Sequence, residues 1–195
     1  MNIKIGIDLD NTIIDYDNLF YKIAIKNKLI PKNIGCNRIK IRNFIKKKSI
    51  SKWKRLQSDI YSLYINEATV KRGFLNFINK VYKKGFEFCI ISHKTKYPYI
   101  GKKKNLHKIS QKWIHNKINA KIDFKIKNIF FEISEKKKIN RIIEQKCDYF
   151  IDDLPSILEA IPKKTKKILI DSKKNYKKKN EFLVIDRWKN ISKIF

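Results

Sequence analysis

With 195 residues, 43% of them apolar, the chain has the length of one ordinary domain and the material for a sizeable core, which excludes a disordered polymer. No stretch approaches the about eighteen uninterrupted apolar residues of a membrane span, and the N-terminus lacks a basic segment followed by an apolar run, so a cytoplasmic location is expected. The formal charge of +29 invites a nucleic-acid reading, because basic patches gain affinity for phosphate backbones by releasing counterions.

Two details weaken that reading. Arginine, the favoured residue for forked phosphate contacts, comes only from Arg38, Arg42, Arg55, Arg72, Arg141 and Arg187. The lysines are spread over the chain among abundant Ile and Asn, as an AT-rich coding sequence produces without selection for binding. Compositional drift is therefore the favoured explanation, attraction of a small anionic substrate the next, and nucleic-acid binding the last. Cys36, Cys89 and Cys147 are odd in number, far apart and without a CxxC pair, so they are expected to be reduced thiols.

In chain order, residues 3–8 (IKIGID) read as a short buried strand ending in Asp8, with Asp10 and Thr12 following. Gly6 lies inside it, which suggests the close approach of a helix. Residues 16–71 include YDNLFYKIAIKNKLI and WKRLQSDIYSLYI, which look helical and interrupt the alternation expected later; Trp53 and the aromatics of 57–64 fall at helical spacing and read as the core of a cap. FLNFINKVYKKG (74–85) is a helix ending at Gly85, leading into the strand FEFCII (86–91) and Ser92. A Lys, Tyr and Gly loop, TKYPYIGKKK (95–104), is equally readable as a base or sugar-phosphate contact and as a solvated turn; an amphipathic helix near 106–118 follows it.

Further strands are expected at 126–133, 148–152, 167–171 and 182–186, helices at 136–146 and 154–161, and a short closing helix in WKNISKIF. Strands alternating with helices predict an α/β, Rossmann-like, mostly parallel sheet flanked by helices, with a small helical cap inserted after the first strand. The division is 1–15 and 72–195 for the core and 16–71 for the cap. Ligands of such sheets bind at the carboxyl ends of the strands, where Asp8, Asp10, Ser92, Asp152 and Asp153 all fall.

A lone DxD carries little weight, since acids at strand ends are often caps or turn residues. Four matches in order and in the right setting carry much more: IGIDLDNTI, FCIIS, EKKKI and YFIDDLPS. This set resembles the haloacid dehalogenase-type hydrolase superfamily, whose motifs are an apolar strand and DxDxT, a strand and Ser or Thr, a lysine at a helix start, and a strand followed by two acids. Asn11 stands where many members have Gly. The resemblance implies the phosphatase branch, because an acid two residues after the nucleophile protonates a leaving oxygen, which a departing halide does not need.

The chemistry of these residue types agrees. Asp8 is the candidate nucleophile, forming an aspartyl-phosphate, and Asp10 the acid that protonates the leaving oxygen and then deprotonates the attacking water. Mg²⁺ prefers oxygen ligands, and Asp8, the Asp10 main-chain carbonyl, Asp152 and Asp153 are the candidates to hold it. Ser92 would donate to a phosphoryl oxygen, and a lysine would neutralise charge: Lys138 fits the register best, with Lys136 and Lys137 open. Thr12, His93 and Lys94 are candidate substrate contacts. His93, His107 and His115 form no zinc-binding spacing. The expected function is Mg²⁺-dependent hydrolysis of a small phosphorylated metabolite, a nucleoside monophosphate or sugar phosphate. Two alternatives stand beside it: a phosphatase of nucleic-acid ends, which predicts lysines gathered around the Asp8 cleft, and a basic binding module without turnover.

Overall fold

A computed structural model describes residues 2–172, 176, 181–191 and 194–195. Six strands form one parallel sheet in the order β5-β4-β1-β6-β7-β8: β1 Lys4–Ile7, β4 Glu87–His93, β5 Ile129–Glu132, β6 Tyr149–Asp152, β7 Lys166–Ile170 and β8 Leu183–Ile185. The fold class expected from the alternation of strand and helix is the one observed, and each expected strand is present with its ends moved by at most three residues. The polar turn after 171 lies partly outside the described residues, and the closing helix is described as α8, Trp188–Ile191, with 192–193 outside them.

The sheet order places the chemistry. β1 lies between β4 and β6, with Ile7 level with Ile90 on one side and Ile151 on the other, and the Asp8 amide continues the ladder by donating to the Ile151 carbonyl at 2.9 Å. Asp8 and Asp152 follow Ile7 and Ile151 directly and Ser92 lies two residues past Ile90, so all three stand at the carboxyl ends of adjacent strands. The strand order also changes direction at β1, and crevices of parallel sheets open at such a switch point. Ile5 and Ile7 are buried, so this central strand cannot shift register without placing Asp8 in the core.

Gly6 sits where β1 is approached most closely, though by side chains of the neighbouring strand and turn and not by the expected helix. A Cβ there would stand 2.6 Å from a Phe150 ring carbon and 2.8 Å from Cys147 Sγ. Gly6→Val should therefore cost about 1–3 kcal/mol through overpacking, read as a lower midpoint in urea unfolding; an unchanged midpoint would show that β6 yields freely. Cys89 and Cys147 are buried with their sulfurs 3.7 Å apart, and Cys36 is exposed.

Between the first strand and the fourth lies the segment expected as a cap. A two-residue ribbon, β2 Ile14–Asp15 with β3 Thr69–Val70, pairs antiparallel at its base, and the short pairing has no periodicity for a sequence reading to find. Above it stand α1 Asp17–Lys26, α2 Arg38–Lys48 and α3 Ile50–Asp59. Asn37 and Ser49 start α2 and α3 by accepting from the amides of Lys40 and Lys52 at 3.1 and 3.3 Å. Trp53 is buried and stacks on Phe20 at 5.2 Å, as core aromatics at helical spacing should. These side chains join the same apolar cluster as Ile5, Ile7 and Phe74.

The remaining helices cover the sheet: α4 Phe74–Lys83, α5 Leu106–Ile114, α6 Glu135–Glu144 and α7 Pro155–Ala160. Gly85, two residues past α4, takes φ 82°, the left-handed turn that ends helices. Among the described residues no helix is long and apolar enough to cross a membrane.

Candidate active site

Asp8 leaves β1 at the switch point, and the chain then reverses at Asn11, whose φ of 64° is one that Gly favours and Asn tolerates. This accounts for Asn at a position the resemblance fills with Gly. From β6, Asp152 arrives alongside; its Oδ1 accepts from the Leu154 amide at 3.0 Å, fixing the turn that carries Asp153. Asp8, Asp152 and Asp153 each offer an oxygen, all within 4.8 Å of one another, and among the described residues they are the one such grouping; it contains no histidine.

The lysine register is decided by burial. α6 is capped by Ser134, which accepts from the Lys137 amide at 3.3 Å. Four residues past that cap, Lys138 points inward with 1% exposure and donates from Nζ to Asp8 Oδ1 at 2.6 Å and Asp152 Oδ2 at 2.7 Å, whereas Lys136 and Lys137 are exposed. Burial works against its charge, but Asp152 and Asp8 outweigh burial and raise its pKa.

The acids are crowded. Burial pushes Asp8 up to about 6, Lys138 pulling it down and Asp152 and Asp10 pushing it further up. Asp153 is raised to about 8, first by desolvation and then by Asp152 and Asp8, against the pull of Arg38, whose Nη2 lies 3.8 Å from its carboxylate. Both folded pKa values lie above the ordinary carboxylate value, so the stabilisation exists below about pH 4 and is lost as pH rises through about 6 and then about 8. Metal-free protein should therefore melt at a higher temperature at pH 5 than at pH 8.5, and Mg²⁺ should raise the melting point more at pH 8.5, where the carboxylates it would neutralise are ionised. Equal shifts at both pH values would refute the crowding.

Asp10 borders the same cavity but has partners of its own. Its Oδ1 accepts from the Tyr16 hydroxyl at 3.0 Å, and Lys94 Nζ stands 2.6 Å from its Oδ2, an ionic contact not aligned as a hydrogen bond. Lys94 is buried, with its ammonium also 4.9 Å from the Tyr61 ring centre. Expected as a substrate contact, it is in this structure the partner of Asp10, while still bordering the cavity. Ser92 Oγ, at the end of β4, is buried and has no hydrogen-bond partner among protein atoms. His93 follows it, half-buried, at the cavity wall.

Thr12 departs from expectation. It is fully buried and does not border the cavity: after the reversal at Asn11 the chain re-enters the core with Ile13 and Ile14, and the Thr12 carbonyl accepts from Trp188 Nε1 at 3.0 Å. Asp15 and Asp17 hold the cap entrance, accepting from the Asp17 and Arg38 amides at 3.1 and 3.2 Å.

The cavity over these groups has a volume of about 270 Å³, slightly below the roughly 300 Å³ at which sites for drug-sized ligands begin. One side is the strand ends with Asp8, Asp10, Ser92, Lys138 and Asp153. The other is the cap, with Arg38, Arg42, Gln57 and Tyr61, which the sequence reading did not select. Arg38 and Arg42 are four apart on one helix, a visible signal, but which face of α2 meets the cavity is set by the cap's packing. Tyr99 closes the cavity from the 95–104 loop. Burial raises the Tyr61 hydroxyl to about 12, partly offset by Arg38.

Comparison with solved structures decides which fold this is. A hydrolase of the haloacid dehalogenase superfamily from Ehrlichia chaffeensis aligns over 100% of this chain and 97% of its own, with a TM-score of 0.54 and 15% identity. The chain has the haloacid dehalogenase-type hydrolase fold. A haloacid dehalogenase-like family protein from Streptococcus pneumoniae shares that fold over 100% and 99% of the two chains, with a TM-score of 0.59 and 14% identity. The Bacillus subtilis protein YfnB, in a magnesium-bound form, does so over 99% and 98%, with a TM-score of 0.58 and 11% identity. No protein-family model and no curated protein matches the sequence.

Proposed function

We propose that the protein is a Mg²⁺-dependent phosphomonoester hydrolase, with residues 16–71 acting as a cap over a core of 1–15 and 72–195. The observation that supports it most is the placement of a buried lysine between Asp8 and Asp152, with Asp153 adjoining and an unpartnered Ser92 hydroxyl at the same cavity. Asp8 attacks phosphorus, forming the Asp8 Oδ–P bond while the P–O bond to the leaving group breaks. Asp10 supplies the proton to the leaving oxygen. Asp10 then takes a proton from water, whose oxygen attacks phosphorus, and the Asp8–P bond breaks to release phosphate. Lys138 and Ser92 hold the phosphoryl oxygens and their charge.

Three hard carboxylate oxygens suit Mg²⁺, and Asp8, Asp152 and Asp153, with the Asp10 main-chain carbonyl, are the residues that would hold it; it would supply charge neutralisation at the phosphoryl group. Asp10 favours phosphate release over dehalogenation, and Tyr16 and Lys94 hold its carboxylate in one orientation. The cavity suits one phosphorylated unit of the size of a nucleoside monophosphate or sugar phosphate. Purified protein should hydrolyse p-nitrophenyl phosphate with Mg²⁺ and lose that activity in EDTA; no turnover over a panel of phosphorylated metabolites would refute the reading.

A further inference from the structure

Compositional drift as the source of the +29 charge predicts basic and acidic residues scattered without regard to the site. The acids are not scattered. No Asp or Glu occurs in residues 18–58 or in residues 88–122, although both stretches are rich in lysine. The first carries α2 and α3, and the second the 94–105 loop and α5. These are the two walls of the cavity outside the strand ends: Arg38, Arg42 and Gln57 come from one, with Tyr61 just past its end, and Lys94 and Tyr99 come from the other. Outside the cavity lining the two stretches also approach each other, the Arg55 guanidinium lying where it would be 3.7 Å from a Cβ placed on Gly101. Apart from the strand-end acids Asp8, Asp10, Asp152 and Asp153, Asp15 and Asp17 at the cap entrance, and Asp59, which pairs with Arg55 at 3.1 Å, the acids lie away from these walls, as in Glu135, Glu144, Asp148 and Glu159.

Each wall leads away from the catalytic groups. Along α2, residues four apart share a face, so Arg38 and Arg42 at the cavity continue into exposed Lys46. Across the mouth, Lys96, Lys102, Lys103 and Lys104 are exposed, and between them Tyr97 and Tyr99 are 44% and 70% exposed. Lysines that follow a backbone, with rings on which bases can stack, are the chemistry of single-stranded nucleic-acid binding.

We propose that the mouth of this cavity binds the end of a single-stranded nucleic acid. The terminal nucleotide enters the cavity with its phosphate toward Asp8, Tyr99 stacks on its base, and the two cationic walls take the phosphates that follow. The phosphatase reading enters only in what happens at Asp8; the binding needs no turnover. A free nucleoside monophosphate and the terminal nucleotide of a strand present the same group to the cavity, and the walls outside it distinguish them.

The test is fluorescence anisotropy of a dye-labelled single-stranded 12-mer with a terminal phosphate, using the full chain between 50 and 200 mM salt. Contact with four to six phosphates should give a slope of log K against log salt of about −3 to −4. Tyr99→Ala should weaken binding about tenfold or more, and Arg42→Ala with Lys46→Ala and Lys103→Ala should reduce the slope by about 0.7 for each phosphate no longer neutralised. Lys163→Ala with Lys166→Ala, just before and at the start of β7 at the opposite end of the sheet, should change neither. The inference fails if those distant lysines matter as much, if Tyr99→Ala binds like the parent, or if vesicles containing phosphatidylserine bind as tightly as the strand. Hydrolysis of p-nitrophenyl phosphate without strand binding would overturn this inference alone. Strand binding without any hydrolysis would overturn the phosphatase reading alone.

Discussion

Asp8→Asn is expected to lower the turnover of p-nitrophenyl phosphate by at least about 1,000-fold, as loss of a covalent nucleophile does elsewhere. The amide has nearly the shape of the carboxylate and its oxygen can still accept from Lys138, so the change removes nucleophilicity and leaves the packing in place. Stability should hold or rise near neutral pH. Asp8 is buried beside Asp152 and its ionisation is disfavoured, with a pKa raised to about 6, so a neutral group there relieves repulsion. Loss of activity with an unchanged or raised melting temperature is therefore the expected pair of results. A variant as active as the parent would end the aspartyl-phosphate mechanism, and an inactive variant that melts early would say only that the site had collapsed. Acid quench of the parent during turnover should trap phosphate on the protein, and the same quench of the variant should trap none.

Lys138→Met should have the largest effect on stability. The methionine fills a similar volume, but it leaves Asp8 and Asp152 without the ammonium that now lies 2.6 and 2.7 Å from them, with Asp153 close by. Breaking a buried ion pair by removing one partner costs about 3–5 kcal/mol. For a chain of this size that lowers the melting temperature by roughly 10 °C. The loss should depend on pH in a definite direction. Without the lysine the carboxylates are pushed further above their ordinary values, so the variant recovers stability as pH falls and they take up protons, and is weakest at pH 8 and above. Thermal melts at pH 5 and pH 8 check this; an equal loss at both would mean that packing, and not charge, is what Lys138 supplies. Arginine at this position should not rescue activity, because a planar fork cannot occupy the place of a point charge between two acids.

Much of this was legible along the chain because the signals are local. The apolar runs of β1, β4 and β6, each ending in Asp or Ser, are strands whose polar ends were read as the site, and they stand side by side in the sheet. Ser134, one of the polar residues before α6, sets the start of the helix and with it the inward face. The β2–β3 ribbon was not legible, since two residues pairing with two others over fifty positions away carry no period. Thr12 was misplaced because its motif says which residue follows Asp10 by two but not that the chain has already turned back into the core. Lys94 was read as facing a substrate, and only the approach of β1 to β4 gives it Asp10 as a partner.

By itself the sequence determined the α/β class, the order of the elements and the residues that end the strands, because apolar periodicity and chain order are properties of neighbours. It also determined that the chain is strongly basic and that its acids are absent from two stretches. Only the tertiary structure decided that Lys138, and neither Lys136 nor Lys137, lies between Asp8 and Asp152, since one helical face is buried and the others are not. It alone brought Arg38, Arg42 and Tyr61 across from the cap to face those acids. It alone set the two acid-free stretches against each other at one cavity mouth, because contacts between residues distant in sequence come from packing and leave no trace in local spacing.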